Sequence, residues 1–121
     1  MPEVSNLFNT HWRVIEIGGR EATFSQGQKM DVHFILSPSG NVRGSTGCNN
    51  LMGSFSRKGQ RLRFGALATT KMACSPAVMS QERGFLNALG RTSTFEIDGR
   101  RLKLYDAGGD VVMRCLGVYI R

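Results

Sequence analysis

Met30-Asp31-Val32-His33-Phe34-Ile35-Leu36 runs directly into Ser37-Pro38-Ser39-Gly40. Met30, Val32, Phe34 and Leu36 alternate with Asp31, His33 and Ile35, which is the period-2 pattern of a half-buried strand. The Ser-Pro-Ser-Gly run ends it as a turn, and Asn41 to Thr46 returns alongside. Working back toward the N-terminus, Trp12 to Ile17 reads as an earlier strand bounded by Gly18-Gly19. The pattern is that of an antiparallel meander.

Further along, two stretches match each other at a spacing of 40 residues: Phe55 to Phe64, turning at Gly59, and Phe95 to Leu104, turning at Asp98-Gly99. Each reads as a hairpin whose second strand points Leu62 and Phe64, or Leu102 and Leu104, inward and its Arg and Lys outward. Gly27 to Val32 is a looser third copy of the same order. Duplication and shared hairpin chemistry account for the likeness equally well. One segment breaks the strand rhythm. Ser75 offers an N-cap, Pro76 suits the first helical position, and Gly90 sits where a left-handed C-cap belongs. Val78, Met79, Phe85, Leu86 and Leu89 recur at helical spacing, so this helix is amphipathic and packs on the sheet. Val111 to Ile120 is a last strand. The expectation is a mainly β chain with one α-helix: a strongly curved antiparallel sheet or partial β-barrel of about eight short strands, with the helix on or closing one end.

The 121 residues suffice for one domain, spanning 1–121, and not for two ordinary ones. With 40% hydrophobic and 21% charged residues the chain has the composition of a folded protein. No apolar run approaches the roughly 20 residues of a membrane-spanning helix. Met1 to Asn6 lack the basic start and apolar run of a signal peptide, which a trimmed or mature chain would also lack, so the compartment stays open. A net charge of +7, with twelve of sixteen basic residues arginine, favours anionic partners. Between Arg57 and Lys103 ten basic residues face three acidic ones. Arg57, Lys58, Arg61, Arg63, Arg101 and Lys103 form the candidate anion-binding face, provided the two related hairpins adjoin. Few aromatic residues flank them, and single-strand binders stack bases on such rings, so nucleic acid is not the expected partner.

Three cysteines, Cys48, Cys74 and Cys115, are widely spaced with no C-x-x-C pair, and neither His11 nor His33 lies at ligand spacing from one of them. No metal or other cofactor is expected. Gly44-Ser45-Thr46-Gly47-Cys48-Asn49-Asn50 is rich in small and amide residues and requires special backbone angles. Cys74 sits just before the helix, where a dipole stabilises a thiolate. A Cys48–Cys74 disulfide would close a loop of roughly 27 residues, for which chain entropy assigns about 3 to 4 kcal/mol. Reduced, buried cysteines are the alternative, and Cys115 reads as a small core residue. A catalytic Cys48 would need His11 or His33 as base and Asn49 or Asn50 as oxyanion donor. Nothing basic lies beside Cys48 in the sequence to support that. Paired carboxylates, a phosphate-binding glycine loop, a Gly-x-Ser-x-Gly elbow and a dinucleotide fingerprint are all absent, and the chain reads as non-enzymatic.

Nearly the whole chain, in order, resembles the META/HslJ family. The residues that carry the resemblance are Thr10-His11-Trp12, Ile17-Gly18-Gly19, Gly44, Gly47-Cys48-Asn49-Asn50 and Gly53-x-Phe55, then Leu62-x-Phe64 and Ala68-Thr69-Thr70-Lys71-Met72-Ala73-Cys74, and finally Glu82-x-x-Phe85-x-x-Ala88-Leu89 and Leu102-x-Leu104-x-Asp106. The resemblance implies a curved sheet with one helix, association with heat shock or envelope stress, and a location in the cell envelope. It supplies no catalytic residues. The chain departs from the family in lacking a lipobox cysteine, in its arginine-rich surface and in the additional Cys115. The expected function is a monomeric envelope or stress-associated module that binds, or supports the folding of, an anionic or apolar partner such as a protein, a lipid or a lipopolysaccharide. The alternatives are a nucleic-acid-binding small β-barrel and a thiol enzyme using Cys48 or Cys74.

Overall fold

A computed structural model describes residues 6–118. Nine strands and one helix follow in the order β1 (His11–Ile17), β2 (Arg20–Glu21), β3 (His33–Leu36), β4 (Asn41–Ser45), β5 (Asn50–Lys58), β6 (Arg61–Thr69), α1 (Pro76–Arg91), β7 (Thr94–Asp98), β8 (Arg101–Tyr105) and β9 (Val111–Val118). All strand pairings are antiparallel, in the order β2-β1-β3-β4-β5-β6-β7-β8-β9, and β1 also pairs with β9. Hydrogen bonds therefore run in a ring through every strand but β2, which hangs on β1. The curved sheet of the sequence reading is present, with β2 as the strand beyond the expected eight. Gly18 and Gly19, at φ +57° and +83°, make the tight turn that brings Arg20 back beside Ile17.

Single extra residues help the sheet to curve. Gly65 and Ala66 of β6 together oppose Ser54, Ile15 bulges from β1 against β9, and Val112 bulges from β9 against β8. Two joints of the ring are short: β1 and β3 share two registered pairs, and β6 and β7 share one, Arg61 opposite Thr94. Two backbone hydrogen bonds flank the latter, Leu62 N–H to Ser93 at 3.0 Å and Phe95 N–H to Gln60 at 3.0 Å.

The inward residues are those that alternation selects. Trp12, Phe34, Leu36, Leu62, Leu102, Leu104 and Met113 are fully buried inside the ring, and each large apolar side chain so placed contributes about 1.5 to 3 kcal/mol. The Trp12 indole N–H donates to the Leu7 carbonyl at 3.0 Å, which satisfies its polar edge inside the core. Helix α1 packs against β1, β6 and β9 and inserts Phe85, Ala88 and Leu89.

Four sequence expectations need correction. The strand predicted from Met30 begins at His33, and Met30 is half-exposed, because Lys29 N–H and the Met30 carbonyl bond to Gly47 and the Gln28 side chain instead of a sheet neighbour. Gly90 is no left-handed cap: the helix runs through it to Arg91, and Thr92 closes the end by donating its N–H to Leu89 and its hydroxyl to Ala88. Ser75 does occupy the N-cap with Pro76 behind it, but its hydroxyl bonds to the Gln26 carbonyl rather than capping the helix. Asn41 to Thr46 forms its strand only to Ser45, since Thr46 turns into the loop before β5. Residues 119–120 of the last predicted strand and the Met1–Ser5 part of the leader reading lie outside the described residues. Among the described residues no helix is long and apolar enough to cross a membrane.

Candidate functional site

The two cysteine-bearing segments meet between the sheet and the helix. Residues 46–49 connect β4 to β5, and residues 70–75 lead from β6 into α1. Cys48 and Cys74 are joined by a disulfide, with S–S 2.07 Å and Cα–Cα 6.1 Å. Gly47 allows the approach: its φ is +98°, and a Cβ there would press on the Gln28 side chain at 3.1 Å. Gln28 ties its own loop down, accepting from Ser25 N–H at 3.0 Å and donating to the Met30 carbonyl at 2.8 Å.

Asn49, only 3% exposed, uses its full amide capacity. Its Nδ2 donates to the Met72 carbonyl at 3.1 Å and to Glu82 Oε1 at 2.8 Å; its Oδ1 accepts from the Thr70 hydroxyl at 2.9 Å and from Met72 N–H at 2.7 Å. Thr46, fully buried, accepts from Asn49 N–H at 2.9 Å and donates its hydroxyl to the same Glu82 oxygen at 2.6 Å. Glu82 reaches this point from the buried stripe of α1, between Val78 and Phe85. Covalent bond, amide and carboxylate together form a clasp that fixes the β4–β5 loop, the β6–α1 segment and the helix to one another. Gly47, Cys48, Asn49, Thr70, Met72 and Cys74 of the quoted pattern all lie in it. Trp12 lies in the core, Asn50 opens β5 opposite Ser45, and Gly53 stands where a Cβ would run into the Ala66 carbonyl across the β5–β6 pair. Ala73 lies in the segment between Met72 and Cys74.

This geometry leaves no free thiol at Cys48 or Cys74 and no spare N–H on the Asn49 side chain for an oxyanion. The remaining thiol, Cys115, is fully buried in β9, and burial pushes it far above the usual thiol range. It lacks the exposed thiolate of a reactive cysteine.

The basic residues divide. Lys58 stands opposite Arg61, and Arg63 opposite Ser56, so these three share the outer face of the β5–β6 hairpin. All three are exposed, and none has an ion-pair partner among the described residues. Arg57 shares the register of buried Leu62 and belongs to the other face. Its guanidinium lies over the rings of Phe95 at 5.4 Å and Phe8 at 5.8 Å, and its Nε donates to the Gly59 carbonyl at 2.9 Å. Arg101 and Lys103 also face outward, opposite Asp98 and Glu96, so β7 places two carboxylates between them and β6. Glu96 also accepts from the Tyr105 hydroxyl at 2.9 Å, which raises the Tyr105 phenol above its usual value. The related hairpins therefore adjoin, but their cations are interrupted by acid.

A further group was not legible in the sequence. His11 Nε2 lies 2.9 Å from one oxygen of Asp31, and His33 Nδ1 lies 3.5 Å from the other. The two imidazoles stack at 4.0 Å between centroids, 16° from parallel. Burial holds His33 below the usual imidazole range, against the opposing effect of its bond to the Asp31 carbonyl. The Asp31-x-His33 spacing was the one available signal, since it sets both side chains toward the same side.

Comparison with known proteins fits this architecture. The META domain family matches residues 5–117. Among solved structures, the NMR structure of a protein from Burkholderia xenovorans is 26% identical, with a TM-score of 0.74 over 99% of this chain and 93% of that one. A crystal structure of a DUF4847 family protein from Bacteroides vulgatus shares the fold at 15% identity, with a TM-score of 0.69 over 91% of this chain and 93% of that one. No curated protein matches the chain significantly.

Proposed function

The chain belongs to the META domain family, and from that premise we propose that it is a non-enzymatic binding or folding-support module of the cell envelope whose β5–β6 hairpin engages an anionic surface. The observation that carries the reading is the outward set Lys58, Arg61 and Arg63: three exposed cations without ion-pair partners among the described residues, on a hairpin rooted at both ends in the clasp. Unneutralised cations held on a rigid ribbon attract phosphate and carboxylate groups without a reaction to perform. The disulfide suits an oxidising compartment, which supports the envelope assignment. The non-enzymatic reading draws support from the clasp, where Thr46, Asn49, Thr70 and Glu82 spend their polar groups on one another. Nucleic acid is less well served. Phe24 is the one large aromatic side chain that is strongly exposed among the described residues, and single-strand binding asks for several stacking rings.

Cosedimentation with vesicles tests the reading, comparing phosphatidylglycerol–phosphatidylcholine mixtures with phosphatidylcholine alone. Each basic side chain near an anionic bilayer is worth about 1 kcal/mol, so the triple variant K58E/R61E/R63E is expected to bind at least about 100-fold more weakly. Retention of the triple variant equal to wild type, or equal binding to neutral vesicles, refutes it.

A further inference from the structure

We propose that His11, Asp31 and His33 form a binding site for a divalent first-row transition ion of the zinc class. His11 and His33 lie on the neighbouring strands β1 and β3, and Asp31 lies in the segment that leads from β2 into β3. In the β1–β3 pair Arg13 stands opposite His33, so His11, two residues before Arg13, is the diagonal neighbour of His33 on the same face. Asp31, two residues before His33, sends one carboxylate oxygen toward each ring.

One donor atom from each of His11, Asp31 and His33 lies within 4.8 Å of the other two, and His11 Nε2 and His33 Nδ1 are the nitrogens facing the carboxylate, at 2.9 and 3.5 Å. Zinc takes imidazole nitrogen at about 2.0 to 2.1 Å and carboxylate oxygen at about 2.0 to 2.2 Å. Capture needs only that the stacked rings splay at their donor edges and that the carboxylate shift between them. His33 Nδ1 now bonds to the Asp31 carbonyl at 3.0 Å, so coordination exchanges that bond for the metal and leaves the ring proton on Nε2. The site is partly open to solvent. His33 is largely buried, on the strand face opposite Phe34 of the core, whereas the Asp31 side chain keeps 33% of its surface and that of His11 17%, which leaves room for water to complete the coordination shell.

The donor chemistry selects the ion. Two imidazoles and one carboxylate suit zinc, copper and nickel, whereas magnesium and calcium require mainly oxygen. The cysteines do not compete, because Cys48 and Cys74 are bonded and Cys115 is sealed in the core.

The test titrates oxidised full-length protein with zinc chloride, following the imidazole nitrogens by NMR and the heat of binding by calorimetry. One saturable site is expected, with the resonances of His11 Nε2 and His33 Nδ1 moving together and no response to magnesium. His11→Gln, His33→Gln and Asp31→Asn should each weaken zinc at least about tenfold, the lower bound for losing even an outer partner of a metal site. The wild-type melting temperature should rise with zinc while that of His11→Gln does not. Failure of wild type to take up zinc saturably, movement of only one imidazole, or undiminished affinity in His11→Gln overturns the site. The NMR readout needs no variant, so a misfolded substitution does not protect the proposal.

Discussion

Asn49→Ala should be the most damaging single polar-to-alanine change in the clasp. The amide makes four hydrogen bonds at 2.7 to 3.1 Å from an almost fully buried position. Three of them join neutral groups, each worth about 1 kcal/mol net; the fourth, to the Glu82 carboxylate, is worth about 1.5 to 3. Truncation also leaves Met72 N–H and carbonyl and the Thr70 hydroxyl without these partners, and water entering the vacated space repays part of the loss. Thr46 still holds Glu82, so the carboxylate is not abandoned. The balance is a loss of about 3 to 4 kcal/mol. For a chain of this length, 1 kcal/mol moves the melting midpoint by about 4 °C, so the oxidised variant should melt about 12 to 16 °C below wild type. Urea unfolding of both oxidised proteins gives the free energy directly, and an unchanged m-value shows that the unfolded state is comparable. A loss below about 1 kcal/mol with the disulfide intact would refute the view that the amide organises this region.

Other consequences are as definite. Thiol titration of unreduced, denatured protein made in an oxidising compartment should find one reactive group, mapped to Cys115, and the folded protein should resist alkylation at neutral pH because burial raises that thiol. Cys48→Ser should cost the oxidised protein about 3 to 4 kcal/mol, the chain-entropy value for its loop; unchanged melting would reject the bond as a stabilising link. Gly44→Ala should be disruptive out of proportion to one methyl group, since the new Cβ meets the His33 carbonyl and the Phe34 Cα, both backbone atoms that move only if β3 and β4 separate. A loss of at least about 2 kcal/mol in urea unfolding is expected, whereas Gly90→Ala, with open space around it, should be neutral or stabilising.

Local patterns revealed most of the sheet because strand alternation is a local property. Val32, Phe34 and Leu36 are buried as their period demands, and Gly59 and Gly99 turn their hairpins with φ near +60°. The same pattern overextends β3 at Met30, because the backbone there bonds to another loop, and sequence periodicity carries no record of that competition. β2 was invisible since two residues have no period; its pairing is imposed by the turn at Gly18-Gly19. At the site, the cysteine pair was one of the open readings, and the motif marked Asn49. The quoted pattern included Glu82 as well, but its use was hidden, because a glutamate on an amphipathic helix is ordinarily solvent-facing. Here it lies on the buried stripe, satisfied by Thr46 and Asn49 from 36 and 33 residues away. The basic face was legible as composition but not as geometry. Register alone separates Arg57 from Lys58 and sets Asp98 and Glu96 against Arg101 and Lys103.

The disulfide also divides the labour of the chain. Everything between Cys48 and Cys74, meaning the whole β5–β6 hairpin, is a covalently closed ring anchored at its base. Its Gly59-Gln60 tip lies far along the strands from the amide and carboxylate that secure the base, and the Gly59 position has open space around it. Sequence drift at the tip therefore leaves the fastening untouched, so descendants of one scaffold can exchange the charge, length or loop displayed there while inheriting the same foundation. A cut at the tip would likewise release no fragment until the protein met a reductant, which makes the hairpin a natural place to graft new recognition.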